Sequence, residues 1–483
     1  MPLKEKAISG VKWNTVATVF SMIIQILRLV VLTRFLEKSD FGLVAIATMV
    51  ISFTDIFSDL GITVAIIHKQ DISEKQYSSV FWLNILVSIL LYAIVCGLTP
   101  FVAYAYSEDI LTIIIPLLSI QILLSAVGKM FQTIKTKELE FDFLSKVKII
   151  SHTIGFLLTC LLAYLGYGVF SIVWGQLLQV AINQASYLFA GRRDHKITFH
   201  FKLSEISDIL RIGVFQLGAR IMDVVASKVD VLLIGKFFGM DDLGVYNLAK
   251  ELIYRPVQII QSLVNNVASS AFAKIQTNYL AVRLHFSFLL KIVTALSFPI
   301  YMCTFVFAEP IVEILYSIKF IDAAFFLRVL SVFGMFTSIE SISSTLLTSY
   351  GKTNIAFYMT LVRAILSVLV VCVSSFFTIE TVAYGLVLVS ALCYFVYWRF
   401  AVKSTIKLPL IDYVSPIFVP LVTSIVVSVP FCIAFSIWHF PITVKLSFIA
   451  AFGGVYLAAF RIIDPCFVNE VVSLVLKRKK RSV

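Results

Sequence analysis

Apolar runs of twenty or more residues, divided by short polar breaks, fill the chain from end to end. A helix that crosses a bilayer needs about 20 mostly apolar residues, and the breaks fall at charged or Gly/Pro-rich turns. The pattern predicts spans near 13–36, 42–67, 80–104, 110–133, 144–165 and 168–190. After a polar gap it predicts 208–238, 243–271, 285–308, 324–349, 354–377 and 381–402, then two more near 412–436 and 441–462. The expected fold is an all-α integral membrane protein of about 14 transmembrane helices.

The pattern repeats. "LVVLTRFLEKSDFGLVAIA" at 29–47 and "VLLIGKFFGMDDLGVYNLA" at 231–249 align at an offset of 202, pairing Phe35 with Phe237, Asp40 with Asp242, Gly42 with Gly244 and Ala47 with Ala249. Each stretch ends the first span of a six-span group and opens the second. The copies keep one orientation, which predicts two lobes related by a pseudo-twofold axis along the membrane normal. The expected domains are an N-terminal six-helix lobe, 1–206, a C-terminal six-helix lobe, 207–406, and two additional helices with a basic tail, 407–483.

Polar residues interrupt the apolar pattern at helical spacing. Residues three or four apart share a helix face. The first span carries Asn14, Thr18, Ser21, Gln25 and Arg28; the second Thr48, Ser52, Asp55 and Asp59. The seventh carries Gln216, Arg220, Asp223, Ser227 and Asp230; the eighth Asn247, Glu251, Tyr254, Gln258, Gln261 and Asn265. Lipid cannot solvate such faces, since a charge at the bilayer centre costs at least about 2.5–3.5 kcal/mol on insertion scales. The four stripes are expected to line one aqueous cavity between the lobes, which Lys228, Lys250, Arg255, Lys291, Glu340 and Arg363 could join. Blander readings stand beside this one. Arg220 with Asp223 and Glu251 with Arg255 are spaced as ion pairs within one helix. Arg34 and Lys236 sit where side chains snorkel to the interface. Single hydroxyls such as Thr18 or Ser52 can be packing glue.

Composition agrees with the membrane reading. Residues are 59% hydrophobic and 14% charged, against roughly 25% charged in a soluble domain, and the mean hydropathy is +0.95. Lys4, Lys6 and Lys12 precede a first run that is longer than a signal h-region, so it is expected to be retained as a span. The formal charge of +12 resides largely in alternate connections, such as Lys135, Lys137, Lys146 and Lys148, then Arg192, Arg193, Lys196 and Lys202. The positive-inside rule then places both termini in the cytoplasm, and "LKRKKRS" suits an anionic inner leaflet. The charge is a topology signal, and no nucleic-acid partner is expected. Seven scattered cysteines and six histidines show no metal-ligand spacing, so neither a metal nor a cofactor is expected. The longest connection, Gly191 to Ser207, cannot hold a soluble domain, which disfavours an enzyme such as a membrane polysaccharide polymerase.

The cavity chemistry narrows the cargo. Guanidinium groups donate paired hydrogen bonds to phosphate oxygens, so an anionic, bulky, amphipathic substrate fits better than a bare cation. Arg28, Gln25, Asn14, Arg220, Lys228, Lys250, Arg255, Gln258, Gln261 and Arg363 are the expected substrate-binding residues. Asp55, Asp59, Asp223, Asp230, Glu251 and Glu340 are the expected ion-coupling candidates, since a protonated carboxylate is neutral and movable in low dielectric. A multidrug or small-cation exporter would need a cavity dominated by acids and aromatics.

"LKEKAISGVKWNTVATV" at the start, "FGLVAIATMVISFTDIFSDLGI", "FWLNILVSI", "KELEF" at 137–141 and "FAKIQ" at 272–276 resemble the Wzx-type polysaccharide flippases, and among them the colanic acid exporter branch. That family lies in the multidrug/oligosaccharidyl-lipid/polysaccharide exporter superfamily. The resemblance covers essentially the whole chain. It implies a multi-pass protein of the bacterial inner membrane that moves an undecaprenyl-diphosphate-linked glycan from the cytoplasmic to the periplasmic leaflet by ion-coupled alternating access. It also implies membrane lipids, a polymerase and a chain-length regulator as partners. Arg28, with Arg220 or Lys228, matches the family's lumenal cations; Asp55, Asp59, Asp223 and Asp230 depart from a purely cationic lumen.

Overall fold

In a computed structural model, residues 3–59, 66, 72–194, 197–275, 278–437 and 440–480 are described. Among them the regular structure is entirely helical. The helices are α1 Leu3–Phe35, α2 Lys38–Asp59, α3 Glu74–Tyr106, α4 Leu111–Lys137, α5 Phe141–Tyr164, α6 Val169–Asp194, α7 Ser207–Phe237 and α8 Met240–Ile275. They continue as α9 Tyr279–Val306, a short α10 Ala308–Tyr316, α11 Ala323–Ser349, α12 Thr353–Ser374 and α13 Ile379–Tyr397. α14 Leu410–Ile437, α15 Ile442–Ile463 and α16 Pro465–Lys480 complete the chain. Fourteen of these coincide one for one with the spans read from the sequence; α10 and α16 are additional. Eleven helical spans are long and apolar enough to cross a membrane, among the described residues. α6, α7 and α8 fall outside that set, and each carries a polar stripe.

The chain divides into two compact units, Met1–Asn247 and Leu248–Val483. In the first, α1 packs along α5, α4 and α5 both pack on α6, α3 packs on α4, and α2 meets α4 and α7. Tyr77, Phe81, Phe131, Ile134 and Tyr187 bury one end of this bundle. The connection from α6 to α7 is tied down there. Trp82 donates its indole N–H to the Thr198 carbonyl at 3.0 Å and stacks on Phe199, and Gln76 donates its amide to the Glu205 carbonyl at 2.9 Å. The end of α7 is held as well. Tyr106 donates to the Leu232 carbonyl at 3.0 Å, and Lys236 donates to the Ala105 carbonyl. Lys236 is thus engaged by a helix C-terminus, where a cation is favoured.

The repeat read from the sequence is visible in one contact of this unit. A Cβ placed on Gly42 would lie 2.1 Å from the Met240 carbonyl oxygen, and one on Gly244 would lie 2.0 Å from that of Lys38. The two contacts are related by the same offset of 202 that aligns the sequences. The first turns of α2 and α8 therefore cross backbone to backbone about a local pseudo-twofold, and only a residue without a side chain permits the approach.

In the second unit α9 packs on α11 and α14, α11 on α13, α12 on α13, and α14 on α15. Phe307, Phe452, Tyr456, Phe460 and Phe467 form its aromatic core. Asp464 accepts from the Phe467 backbone N–H at 3.2 Å and so caps α16, whose first residue is Pro465. Proline at the first helical position leaves no donor unsatisfied.

Candidate functional site

Four helices, α1, α2, α7 and α8, carry the polar faces read from the sequence. On α1, Gln25 and Arg28 are half-buried and Asn14 is exposed. On α2, Asp55 is exposed although it lies well inside an apolar run. The side chain of Asp59 lies outside the described residues, as does that of Gln216. Ser21, Thr48, Ser52 and Ser227 bond their hydroxyls within their own helices. Ser21 donates to the Ala17 carbonyl and Ser52 to that of Thr48, both at 2.7 Å. Such back-bonding needs no ligand, so Ser21 and Ser52 act first as packing groups.

On α7, Arg220 and Asp223 are exposed, Lys228 is half-buried and Asp230 is 1% exposed. The Asp230 carboxylate accepts from the Val231 backbone N–H at 2.8 Å and from the Tyr246 hydroxyl of α8. A buried carboxylate needs such donors, and this one ties α7 to the first turns of α8.

In the second unit, α8 presents Lys250, buried and 5.7 Å from the Tyr254 ring centroid. Glu251 and Arg255 form an ion pair at 3.0 Å along the helix. Gln258 and Gln261 are exposed. Deeper in this unit, Glu340 of α11 is 6% exposed and lies 3.8 Å from Arg363 of α12. Its second oxygen, Oε1, is buried with no hydrogen-bond partner. Lys291 pairs with Asp464 and lies 4.8 Å from the Phe467 ring centroid. It anchors α16 to α9.

One polar cavity was not singled out from the sequence. It has a volume of about 330 Å³ and lies inside the first unit, lined by Asn14 of α1, Gln132 of α4, Lys148 and His152 of α5, and Asn183 and Gln184 of α6. The signal was present. Lys148 and His152 are four residues apart in an apolar span, and Gln176, Gln179 and Asn183 run at helical spacing along α6. The structure binds these rows together. Gln179 contacts His152 at 3.3 Å, Gln176 donates to Gln121 at 3.1 Å, and Ser151 donates to Asn183 at 2.8 Å.

The model of a family described as "Polysaccharide biosynthesis protein" matches residues 31–325. The teichuronic acid biosynthesis protein TuaB of Bacillus subtilis is 27% identical over 450 residues, covering 92% of each chain. The lipopolysaccharide biosynthesis protein WzxC of Escherichia coli is 27% identical, covering 74% of this chain and 73% of its own. Among solved structures, the lipid II flippase MurJ in an inward closed conformation superposes with a TM-score of 0.79 at 15% identity, covering 94% of this chain and 99% of that one. That last likeness fixes the fold alone. With the matched model spanning more than half of its length, the chain belongs to the polysaccharide biosynthesis protein family.

Proposed function

We propose that the chain is a flippase for undecaprenyl-diphosphate-linked oligosaccharide repeat units. It would carry them from the cytoplasmic to the periplasmic leaflet of a bacterial inner membrane, with both termini in the cytoplasm, by ion-coupled alternating access. Its product would feed exopolysaccharide, capsule or O-antigen synthesis, with a polymerase and a chain-length regulator downstream. The observation that carries this reading is a guanidinium, Arg28, half-buried inside the apolar span Lys12–Phe35, on a polar face that also holds Gln25. A cation kept in that position suits a diphosphate, and the amides beside it suit sugar hydroxyls. The family membership supports the same reading.

The six-helix lobes 1–206 and 207–406, with 407–483 appended, are the proposed units of movement. Asn14, Gln25, Arg28, Arg220, Lys228, Lys250, Arg255, Gln258, Gln261 and Arg363 remain the proposed substrate contacts. Asp55, Asp59, Asp223, Asp230, Glu251 and Glu340 remain the proposed ion-coupling groups. Among these, the hydrogen bonds to Asp230 and the pair between Glu251 and Arg255 favour holding roles. Glu340 has the environment best suited to exchange a proton. A multidrug exporter is disfavoured because cations, Arg28, Lys228 and Lys250 among them, stand on the same four polar helices as the acids.

The test is reconstitution in vesicles carrying undecaprenyl-diphosphate-linked oligosaccharide, with glycan exposure on the far leaflet read by a membrane-impermeant glycosidase. Protein-dependent exposure that rises with an imposed proton gradient is expected. Exposure no faster than in empty vesicles, with efflux of a cationic dye instead, would replace this reading with the drug-exporter one.

A further inference from the structure

The half-open cavity between α1, α4, α5 and α6 is chemically unlike the four stripes. Among the described residues, no Asp or Glu lines it. Lys148 faces it half-buried, and no carboxylate among the described residues acts on its ammonium. A cation within a membrane bundle is ordinarily paired or engaged in function. Among the described residues, none around the cavity supplies the compensating anion. The remaining lining is rich in groups that both donate and accept, the amides of Asn14, Gln132, Asn183 and Gln184, and it includes the aromatic residues Phe141 and Tyr187. Amides offer one donor and one acceptor side by side, which matches neighbouring hydroxyls on a sugar. Aromatic faces match its C–H surface. The cavity is roomy enough for a sugar ring and its hydration.

We propose that this cavity is a sugar-recognition site for a glycan residue bearing a carboxylate, with Lys148 pairing the carboxylate and the amides reading the hydroxyls. The inference rests on the flippase reading and deepens it, because it assigns an acidic sugar to the cargo. Asn14 and Arg28 stand fourteen residues apart on α1, which is about 21 Å along a helix. A diphosphate held at Arg28 would thus leave the cavity to a sugar farther along the repeat unit. His152, held by Gln179, and Asn183, held by Ser151, fix the wall so that little is left to order on binding.

The experiment uses the full chain in phosphatidylcholine nanodiscs, with glucuronate, glucose and glycerol phosphate as probes and saturation-transfer NMR as readout. Glucuronate should bind at least about tenfold more tightly than glucose, as a charge-assisted pair requires, and glycerol phosphate should compete poorly. Lys148→Met should remove the preference for glucuronate over glucose without abolishing sugar contact, and Gln132→Leu should weaken both sugars. Equal binding of glucose and glucuronate by the unaltered protein would overturn the proposal with no variant needed. Displacement of glucuronate by glycerol phosphate at equal concentration would also overturn it, assigning the cavity to a phosphate or lipid headgroup. These binding results are independent of the leaflet assay, so their failure would leave the flippase reading standing.

Discussion

Arg28 and Glu340 pose opposite problems at the residue scale. Arg28 must stay charged to hold a diphosphate, so its charge and fork geometry both matter. Arg28→Ala should insert and purify normally yet lower glycan export by at least about tenfold, the loss expected when a charge-assisted contact of about 1.5–3 kcal/mol is removed. Near-normal export from a well-expressed variant would remove Arg28 from the mechanism. Glu340 would serve by changing its protonation. It sits 3.8 Å from Arg363 with its other oxygen unbonded. Glu340→Gln keeps the shape and removes the charge, so the folded protein should survive while transport loses its dependence on the proton gradient. Transport by that variant with the parent's pH profile in vesicles would exclude Glu340 from coupling. The sequence named both residues because a charge in an apolar run stands out. It did not separate Asp230 from Glu340, since the partner of Asp230, Tyr246, is sixteen residues away on another helix.

At the element scale, the crossing of α2 and α8 depends on two glycines. A methyl on either would meet a carbonyl oxygen at about half the usual contact distance. Gly42→Ala and Gly244→Ala should each lower stability by about 1–3 kcal/mol, the usual cost of overpacking, measured by thermal unfolding in detergent. Together they should cost less than their sum, because both substitutions force the same two helix ends apart. Additive losses would mean that the two contacts yield independently. Helix existence was legible because apolar runs and charged breaks alternate so regularly. The ends were less so. α1 begins at Leu3, ten residues before the first predicted span, since a helix continues beyond the apolar length that a membrane requires. α16 was read only as a basic tail, because its one anchoring ring, Phe467, and its tether from Lys291 to Asp464 are tertiary facts.

For the molecule as a whole, the sequence carried the class of the protein more fully than its site. Hydropathy and lysine placement follow from the bilayer itself, so they are written along the chain. The cavity around Lys148 is made from four helices, each contributing ordinary-looking residues, and only their packing brings Asn14 and Gln184 to one wall. The central claim is that the protein moves lipid-linked repeat units between leaflets. The most direct measurement is to delete the chain from its host and extract the undecaprenyl-diphosphate-linked repeat units. Their leaflet is then assigned by accessibility to an impermeant glycosidase, and surface polysaccharide is scored in parallel. The account predicts repeat units accumulating on the cytoplasmic leaflet with surface polymer lost. Single repeat units accumulating on the periplasmic leaflet would contradict it and place the chain at the polymerisation step instead.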